Sequence, residues 1–345
     1  MNELLAMAES VFGDAWDSTG EGFDADLWRT CEETGLARLT LPESAGGSGG
    51  SFADATAVLR SAGRFAARVP LVETDLMAGW LAHAAGLELP GGPLSAVGAV
   101  GAVGADGAAE VSVVDGRANG TLRRVPWGRA VSAVVVPVDD QVVLVTTGAA
   151  GIRVAEGTNV AEEPRDDLVL RDVPVRTAPL PDGALEEFRL RAALGRSLLL
   201  AGAGRCALGM AARYATERVQ FGRPIAKLQA IQQMLALAAS EVAAAEASAS
   251  AAALEADRDG IVGASVAIAA AKARAGEAAG EIARIAHQVH GALGFTREHD
   301  LRLATTRLWA WRDEDDAEPV WNEQLGDLAL AAGAAGIWPL LVGRD

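Results

Sequence analysis

The stretch Arg213–Gln232, RYATERVQFGRPIAKLQAIQ, is the most specific in the chain and decides how the rest is interpreted. It predicts a helix that reaches Gln220 and is ended by the Gly-Arg-Pro that comes after Phe221. Arg218 then lies at the C-terminal end of a helix, where the dipole favours a cation. An Arg beside an amide and an aromatic ring suits a phosphate next to a flat ring. The local pattern fits an ordinary charged helix end with a buried Phe as well, so this stretch alone leaves both interpretations open.

Bulk composition narrows the classes of function. The chain has 345 residues, of which 50% are hydrophobic, and this is enough for two or three packed subdomains. Its net charge of −16 argues against nucleic-acid binding and against anionic membranes. Cys31 and Cys206 are far apart and lack metal-type spacing, which fits a reduced protein. The first residues lack the features of a signal peptide and no apolar run could span a bilayer, so we expect a cytoplasmic protein with no nucleic-acid and no membrane partner.

The order of hydrophobic patterns predicts an α+β fold. Residues 1–92 have helical spacing with short breaks and predict an N-terminal helical domain. Residues 93–182 carry hairpin signals at Asp115-Gly116 and Asp139-Asp140 and predict a small central antiparallel β domain. Residues 183–345 are Ala-rich with few breaks and predict a C-terminal antiparallel helix bundle.

Other candidate motifs favour structural roles. The Gly-rich stretches at 46–50 and 98–104 lack the strand–helix context of a phosphate loop, so we expect a connection at the first and a loop or an edge strand at the second. His287 and His290 lie three residues apart on a predicted helix without a third ligand, so we expect no metal site. Arg191, Arg196 and Arg205 could meet the phosphates of a ligand, but solvated helix faces are their commoner use.

A second stretch, Gln288–Thr296 with the letters QVHGALGFT, lies downstream of the first and is followed by Glu298. Together with Tyr214, Arg218, Gln220-Phe221-Gly222, Pro224-Ile225, Gln229 and Gln232, it makes the chain resemble the acyl-CoA dehydrogenase family. The close match covers the C-terminal half, and the N-terminal half agrees in layout. The resemblance implies the helices, β domain and bundle of that fold. It also implies FAD-dependent α,β-dehydrogenation of an acyl thioester, carried by CoA or a carrier protein.

The resemblance also implies which residues bind FAD, at a site shared between subunits. Those residues are Arg218, Gln220, Phe221, Gln229, Gln288, Gly291, Ala292 and Trp127. Arg218 would meet the pyrophosphate of a neighbouring subunit's FAD, and Gln229 would lie near its adenosine end. The loop that holds the flavin ring would fall near residues 97–106, which carry few hydroxyl groups, and Trp127 is the nearest counterpart of the segment that covers the ring.

The carboxylate that removes the α-proton has two candidates. Counting from the second stretch, the family's usual Glu position falls at Asp315, which is followed by Asp316 where the family commonly has Gly. Glu314 is the next candidate. The family's other position for this residue falls at Ala192, which cannot act as a base. A solvated acidic turn is the alternative explanation of residues 313–316.

Two interpretations of the assembly follow from the resemblance. In the first, the chain is a catalytic subunit of a homo-oligomer and uses Asp315 or Glu314 as its base. In the second, it is a weakly catalytic or non-catalytic companion that completes the FAD site of a homologous partner chain in a hetero-oligomer. The resemblance extends to divergent bacterial relatives that work as such mixed pairs.

Overall fold

The computed structural model describes residues 2–17, 20–98 and 110–342. The chain divides into two compact units. The first consists of Met1–Val58 with Ala67–Ala192, and the second of Leu59–Ala66 with Ala193–Asp345. The division into three domains at residues 92 and 182 stays a prediction.

The first unit begins with short helices. These are α1 (Asn2–Asp14), α2 (Ala25–Glu33), the first part of α3 (Phe52–Arg64), a π-helical segment (Val72–Gly79) and α4 (Trp80–Ala84). Asp24 caps α2, because its carboxylate accepts a hydrogen bond from the backbone N–H of Leu27 at 3.0 Å. All residues of the π-helical segment are buried, including Glu73 and Asp75. Burial raises the pKa of Asp75 to about 6, although its carboxylate accepts hydrogen bonds from the backbone of residues 40 and 41.

Among the residues that the structure describes, the β part of this unit has two four-stranded sheets. Its strands are β1 (Leu94–Ala96), β2 (Glu110–Val114), β3 (Arg117–Pro126), β4 (Ala133–Val138), β5 (Gln141–Thr146), β6 (Ile152–Ala155), β7 (Arg165–Pro174) and β8 (Arg176–Pro179). One sheet has the order β1-β4-β5-β8 and the other the order β2-β3-β7-β6. Inward-facing residues of both sheets, such as Leu122, Val134 and Leu168, belong to one hydrophobic core.

Both hairpin predictions in this region are confirmed. Val114 pairs with Arg117 across Asp115 and Gly116, whose φ angles are 51° and 72°, as a two-residue hairpin turn requires. The strands β4 and β5 are joined in the same way across residues 139–140. The sheets are antiparallel except that β1 pairs with β4 in parallel. The strand β7 continues through Asp172 with a shift in register against β3.

The second unit is helical, as the sequence predicts. Its helices are the C-terminal part of α3, most of α5 (Ala184–Glu217), α6 (Gln229–Gly263), α7 (Ser265–His290), α8 (Leu301–Asp313) and α9 (Glu318–Val342). Glycines allow α3 and α5 to meet backbone to backbone: a Cβ on Gly63 would lie 2.2 Å from the carbonyl oxygen of Leu199. Within the ranges that the structure describes, no helix is both long and apolar enough to cross a bilayer.

The stretch after α5 departs from the predicted helix end. The helix stops at Glu217, and β9 (Val219–Gln220) and β10 (Arg223–Pro224) form a small hairpin before a 3₁₀ turn at Ile225–Lys227. Phe221 and Gly222 make the turn with φ angles of 52° and 73°. A helix cannot continue there, because a Pro in its interior has no N–H to donate and clashes with the preceding turn. The hairpin is closed at its base, where the Ile225 N–H donates to the Arg218 carbonyl at 2.9 Å.

Candidate functional site

The hairpin presents its signature residues to solvent. Arg218, Gln220 and Phe221 are all exposed, and the Phe221 ring is 85% accessible. Arg223 and Lys227 are exposed nearby, which makes this a locally cationic edge in a chain of net charge −16. A bulky apolar residue at positive φ with almost no cover costs free energy, so its presence points to a ligand or a partner.

The two signature stretches meet in space. The ring of Tyr214, near the end of α5, stacks on the imidazole of His290, the last residue of α7, with centroids 4.6 Å apart. The Nδ1–H of His290 donates to the Ala286 carbonyl at 2.7 Å. Burial lowers the pKa of His290, which keeps the ring neutral near pH 7. The stack therefore joins the hairpin end of α5 to the motif that ends α7.

A cavity of about 530 Å³ opens beside the second motif. Arg284 and His287 line it from α7, and Gln288, Gly291 and Ala292 line it from the motif. Gly291 ends α7 with a φ of 63°, and open space surrounds the position that a Cβ would take. The backbone is thus accessible to a bound group at this point.

His287 and His290 have structural partners, as the sequence predicts. His287 lies between the rings of Phe295 and Trp309, at centroid distances of 4.3 and 5.3 Å. Its Nε2 lies 3.0 Å from the hydroxyl oxygen of Thr305, which donates its own proton to the Leu301 carbonyl. Burial lowers the pKa of this ring too.

The remaining predicted cofactor residues, Gln229 and Trp127, differ in their exposure to solvent. Gln229 is exposed at the start of α6, and the side-chain amide of Gln232, three residues later, donates to the Ala226 carbonyl. Trp127 is only 3% exposed and packs against Phe23 in the core of the first unit, so its role in covering a flavin ring stays a prediction that its burial disfavours. Of the loop predicted at 97–106, residues 99–106 lie outside the described residues.

Both candidate bases pair with one buried arginine. Arg196 on α5 donates from Nε to the Asp315 carboxylate at 2.7 Å, and its Nη1 lies 3.4 Å from the Glu314 carboxylate. Arg196 is buried, so the prediction of a solvated helix face for this residue is wrong. Sequence reasoning missed the pair because its members are 119 residues apart.

Two further side chains hold the turn that carries these carboxylates. Lys272, fully buried on α7, donates to the carbonyls of Arg312 and Asp316 at 3.0 and 2.5 Å. The indole Nε1–H of Trp321 donates to the carbonyls of Asp315 and Asp316 at 3.1 and 3.2 Å. Burial lowers the pKa of Lys272 to about 8, against the opposing effect of nearby carboxylates. Of residues 313–316, the description as a solvated turn fits Asp313, which is exposed, but not residues 314–316, which are half-buried and tied to α5, α7 and α9.

The family's alternative base position carries no acid here. Ala192 is buried on α5, and the expectation that this position is inactive stays a prediction. Its neighbour Arg191 is half-buried, and its guanidinium lies 4.5 Å from the centroid of the Trp80 ring and 2.8 Å from the Glu187 carboxylate. These contacts replace the solvated face that the sequence predicts for Arg191.

Comparisons with known proteins agree with these features. The family model "Acyl-CoA dehydrogenase, C-terminal domain" matches residues 184–311, and "Acyl-CoA dehydrogenase, N-terminal domain" matches residues 6–88. The chain is 30% identical to acyl-CoA dehydrogenase IpdE2 of Mycobacterium tuberculosis over 301 residues, which cover 83% of this chain and 81% of the relative.

Solved structures share the fold over almost the whole chain. A variant of the Tcur3481-Tcur3483 steroid ACAD is 25% identical, with a TM-score of 0.82 and coverage of 97% of this chain and 98% of that chain. A glutaryl-CoA dehydrogenase from Mycobacterium smegmatis in complex with FADH2 is 16% identical, with a TM-score of 0.80 and coverage of 95% and 93%. The family models, the relative and the shared architecture show that this chain belongs to the acyl-CoA dehydrogenase family, whose members are oxidoreductases that act on CH–CH groups.

Proposed function

We propose that the chain takes part in FAD-dependent α,β-dehydrogenation of an acyl thioester, with FAD held across a subunit interface. The observation that carries this proposal is the Tyr214–His290 stack, which joins two exposed signature stretches in a member of the acyl-CoA dehydrogenase family. In these stretches Arg218, Phe221 and Gln288 are exposed, so the rest of the second unit does not cover them. Exposed residues of this kind suit a cofactor that a neighbouring subunit presents.

The exposed residues fit one half of an FAD molecule. Arg218 supplies a cation for the pyrophosphate at the end of α5, with Gln220 as an adjacent amide. Phe221 and the 70% exposed Phe295 supply apolar faces for a flat ring. Gly291 leaves its backbone open beside the cavity, where Gln288 offers a second amide.

The chemistry divides between the cofactor and the chain. Bound FAD supplies the acceptor for the hydride that leaves the β-carbon. The chain must supply a carboxylate within hydrogen-bond reach of the α-carbon, and Asp315 and Glu314 are the candidates. Arg196 pairs with both carboxylates, so either one would have to accept a proton from within an ion pair. The substrate is an acyl thioester of CoA or of a carrier protein.

A companion subunit in a hetero-oligomer is the second candidate, and the Arg196 pairing favours it. A base that is already engaged by a buried guanidinium is poorly suited to abstract a proton. The similar Tcur3481-Tcur3483 steroid ACAD combines two named chains, which gives a precedent for a mixed assembly. In this role the chain would complete the FAD site of a homologous partner. A cytoplasmic location suits either role and stays a prediction.

The first experiment is the visible absorption spectrum of the purified chain with its FAD-to-protein ratio. A ratio near one, with turnover of acyl thioesters, supports a self-sufficient homo-oligomer. A colourless chain that becomes yellow on co-expression with a homologous chain supports the companion role. A chain that stays colourless in both cases contradicts both forms of the proposal.

A further inference from the structure

Lys272 is an unusual residue in this chain. It is one of two lysines in the sequence, and it is fully buried in the N-terminal half of the Ala-rich helix α7. Its ammonium group donates to the carbonyl oxygens of Arg312 and Asp316. Burying a lysine is costly, so a position that needed only packing would favour an apolar residue.

The two carbonyls that Lys272 binds lie on either side of the candidate bases. The Arg312 carbonyl belongs to the last turn of α8, and the Asp316 carbonyl comes after the Glu314-Asp315 pair. Between them the backbone takes φ angles of 55° at Asp315 and 65° at Asp316, a conformation that disfavours residues with a Cβ. Contacts from outside the turn are therefore needed to keep this shape.

We propose that Lys272 is a positioning residue for the proton-abstracting carboxylate. By donating to both sides of the turn, it fixes the backbone from which Glu314 and Asp315 project. Trp321 assists from α9 and Arg196 orients the Asp315 side chain, so helices α5, α7 and α9 together set one carboxylate geometry. The catalytic part of this inference rests on the proposed function, and the structural part does not.

An ammonium suits this task better than an amide or an apolar side chain. It carries three donors, and two carbonyls occupy two of them. The charged groups around it are Arg196 of α5, Asp315 and Asp316 of the turn, and Glu318 of α9. The ammonium thus places positive charge next to the carboxylates as well as holding the backbone.

Hydrogen–deuterium exchange of the purified chain tests the structural part. Lys272→Met should raise exchange in the peptide 312–321 about tenfold or more, while peptides of α6 and of the β sheets change less than twofold. Arg274→Met is the matched control, because it removes a cation from the same helix whose partners are Glu241 and Glu277. It should leave peptide 312–321 unchanged. Lys272→Gln, which keeps a shorter donor, should give an intermediate rise and serves as the second variant if the methionine variant does not fold.

Unchanged exchange at 312–321 in Lys272→Met and Lys272→Gln would overturn the inference. An equal rise throughout the protein would overturn it too, because Lys272 would then stabilise the unit as a whole. In whichever assembly binds FAD, Lys272→Met should lower kcat about tenfold or more with KM within twofold. The acid limb of the kcat/KM profile should move to higher pH, since the carboxylates lose a neighbouring cation.

The two proposals fail in different ways. If Asp315→Asn and Glu314→Gln both keep full turnover, the proposed base is wrong, and with it the catalytic part of the Lys272 inference. If a carboxylate variant is inactive but Lys272→Met keeps the wild-type kcat and pH profile, the base stands and the positioning role is overturned.

Discussion

The ring of Tyr214 stacks on the imidazole of His290, with centroids 4.6 Å apart and an angle of 26° between the ring planes. This contact brings together the ends of two long helices that lie far apart in sequence. The exposed hairpin after α5 and the cavity beside the end of α7 therefore belong to one unit, and one ring pair couples them.

Replacing Tyr214 should weaken both stability and cofactor retention. Tyr214→Leu removes the aromatic pair, which contributes about 1 kcal/mol beyond the buried area. We expect the melting temperature to fall by about 2–4 °C and the FAD-to-protein ratio to fall with it. Tyr214→Phe keeps the stacked ring and is the control. Equal FAD retention in the Leu and Phe variants would show that the stack does not support the cofactor site.

Phe221 should lower the stability of the isolated chain but contribute to the binding of a cofactor or partner subunit. It occupies the first position of a two-residue turn at a φ of 52°, followed by Gly222 at 73°. Asn-Gly is the preferred pair for such a turn, and the Phe ring gains almost no contact within the chain. Phe221→Asn should therefore raise the free energy of unfolding of the single chain by about 0.5–1 kcal/mol. Denaturant unfolding of the chain purified alone measures this change.

The same variant should lose function, because a cofactor or partner subunit no longer meets the exposed ring. We expect a lower FAD-to-protein ratio in the assembled protein. Phe221→Tyr keeps the ring and should retain FAD. A Phe221→Asn variant that is both more stable and fully loaded with FAD would contradict a binding role for this residue.

The hairpins and long helices could be predicted because their signals are local. Asp115-Gly116 favours one turn by its own backbone preferences, and the long Ala-rich stretches favour helices because Ala has the highest helix propensity. Gly222 and Pro224 predict that the helix stops, but they do not distinguish a plain helix end from a hairpin. Both structures accommodate the same residues, and only the pairing of β9 with β10 separates them.

The carboxylate turn could not be predicted in this way, because its partners come from three other helices. No spacing rule connects Arg196 or Lys272 to residues 314–316. The one feature of the sequence that could have indicated this site is Lys272, a rare lysine among the alanines of α7. A charged residue in an apolar stripe usually has a buried polar partner, so Lys272 predicts a polar site packed against α7.

Arg218 should account for much of the chain's contribution to FAD retention. Arg218→Ala removes the cation expected at the pyrophosphate, and a charge-assisted hydrogen bond of this kind contributes about 1.5–3 kcal/mol. We therefore expect the dissociation constant of the assembly for FAD, measured by fluorescence titration, to rise about tenfold or more. Arg223→Ala is the matched control, because Arg223 is an exposed cation of the same hairpin. Equal losses in both variants would indicate only a general electrostatic attraction.

Asp315 and Glu314 can be separated by amide variants. If Asp315 is the base, Asp315→Asn should lower kcat by about 10²–10⁴ with little change in KM, since general bases contribute on this scale. Glu314→Gln should then retain most of the activity. Asp313→Asn is the control, because Asp313 is an exposed neighbour that pairs with Arg312. Wild-type turnover in both the Asp315→Asn and the Glu314→Gln variant would favour the companion role.

Lys272 should also give the protein a distinctive dependence of stability on pH. Its pKa is lowered by burial from 10.5 to about 8 in the folded chain. Between these values the folded state is largely neutral at this position and the unfolded state is charged, so unfolding takes up a proton. The contribution of Lys272 to the free energy of unfolding must therefore rise with pH across this window. The slope is at most about 1.4 kcal/mol per pH unit.

The comparison with Lys272→Met isolates this contribution, because all other groups titrate in both proteins. Below about pH 7 the difference in stability between the two proteins should be constant, since Lys272 is charged whether folded or not. Above pH 8 it should shift in favour of the wild type, by roughly 3 kcal/mol at pH 10.5. Denaturant unfolding at a series of pH values measures the difference. A constant difference from about pH 7 to pH 10.5 would mean that the ammonium keeps its ordinary pKa despite its burial, and that its hydrogen bonds and the neighbouring carboxylates offset the whole cost of desolvation.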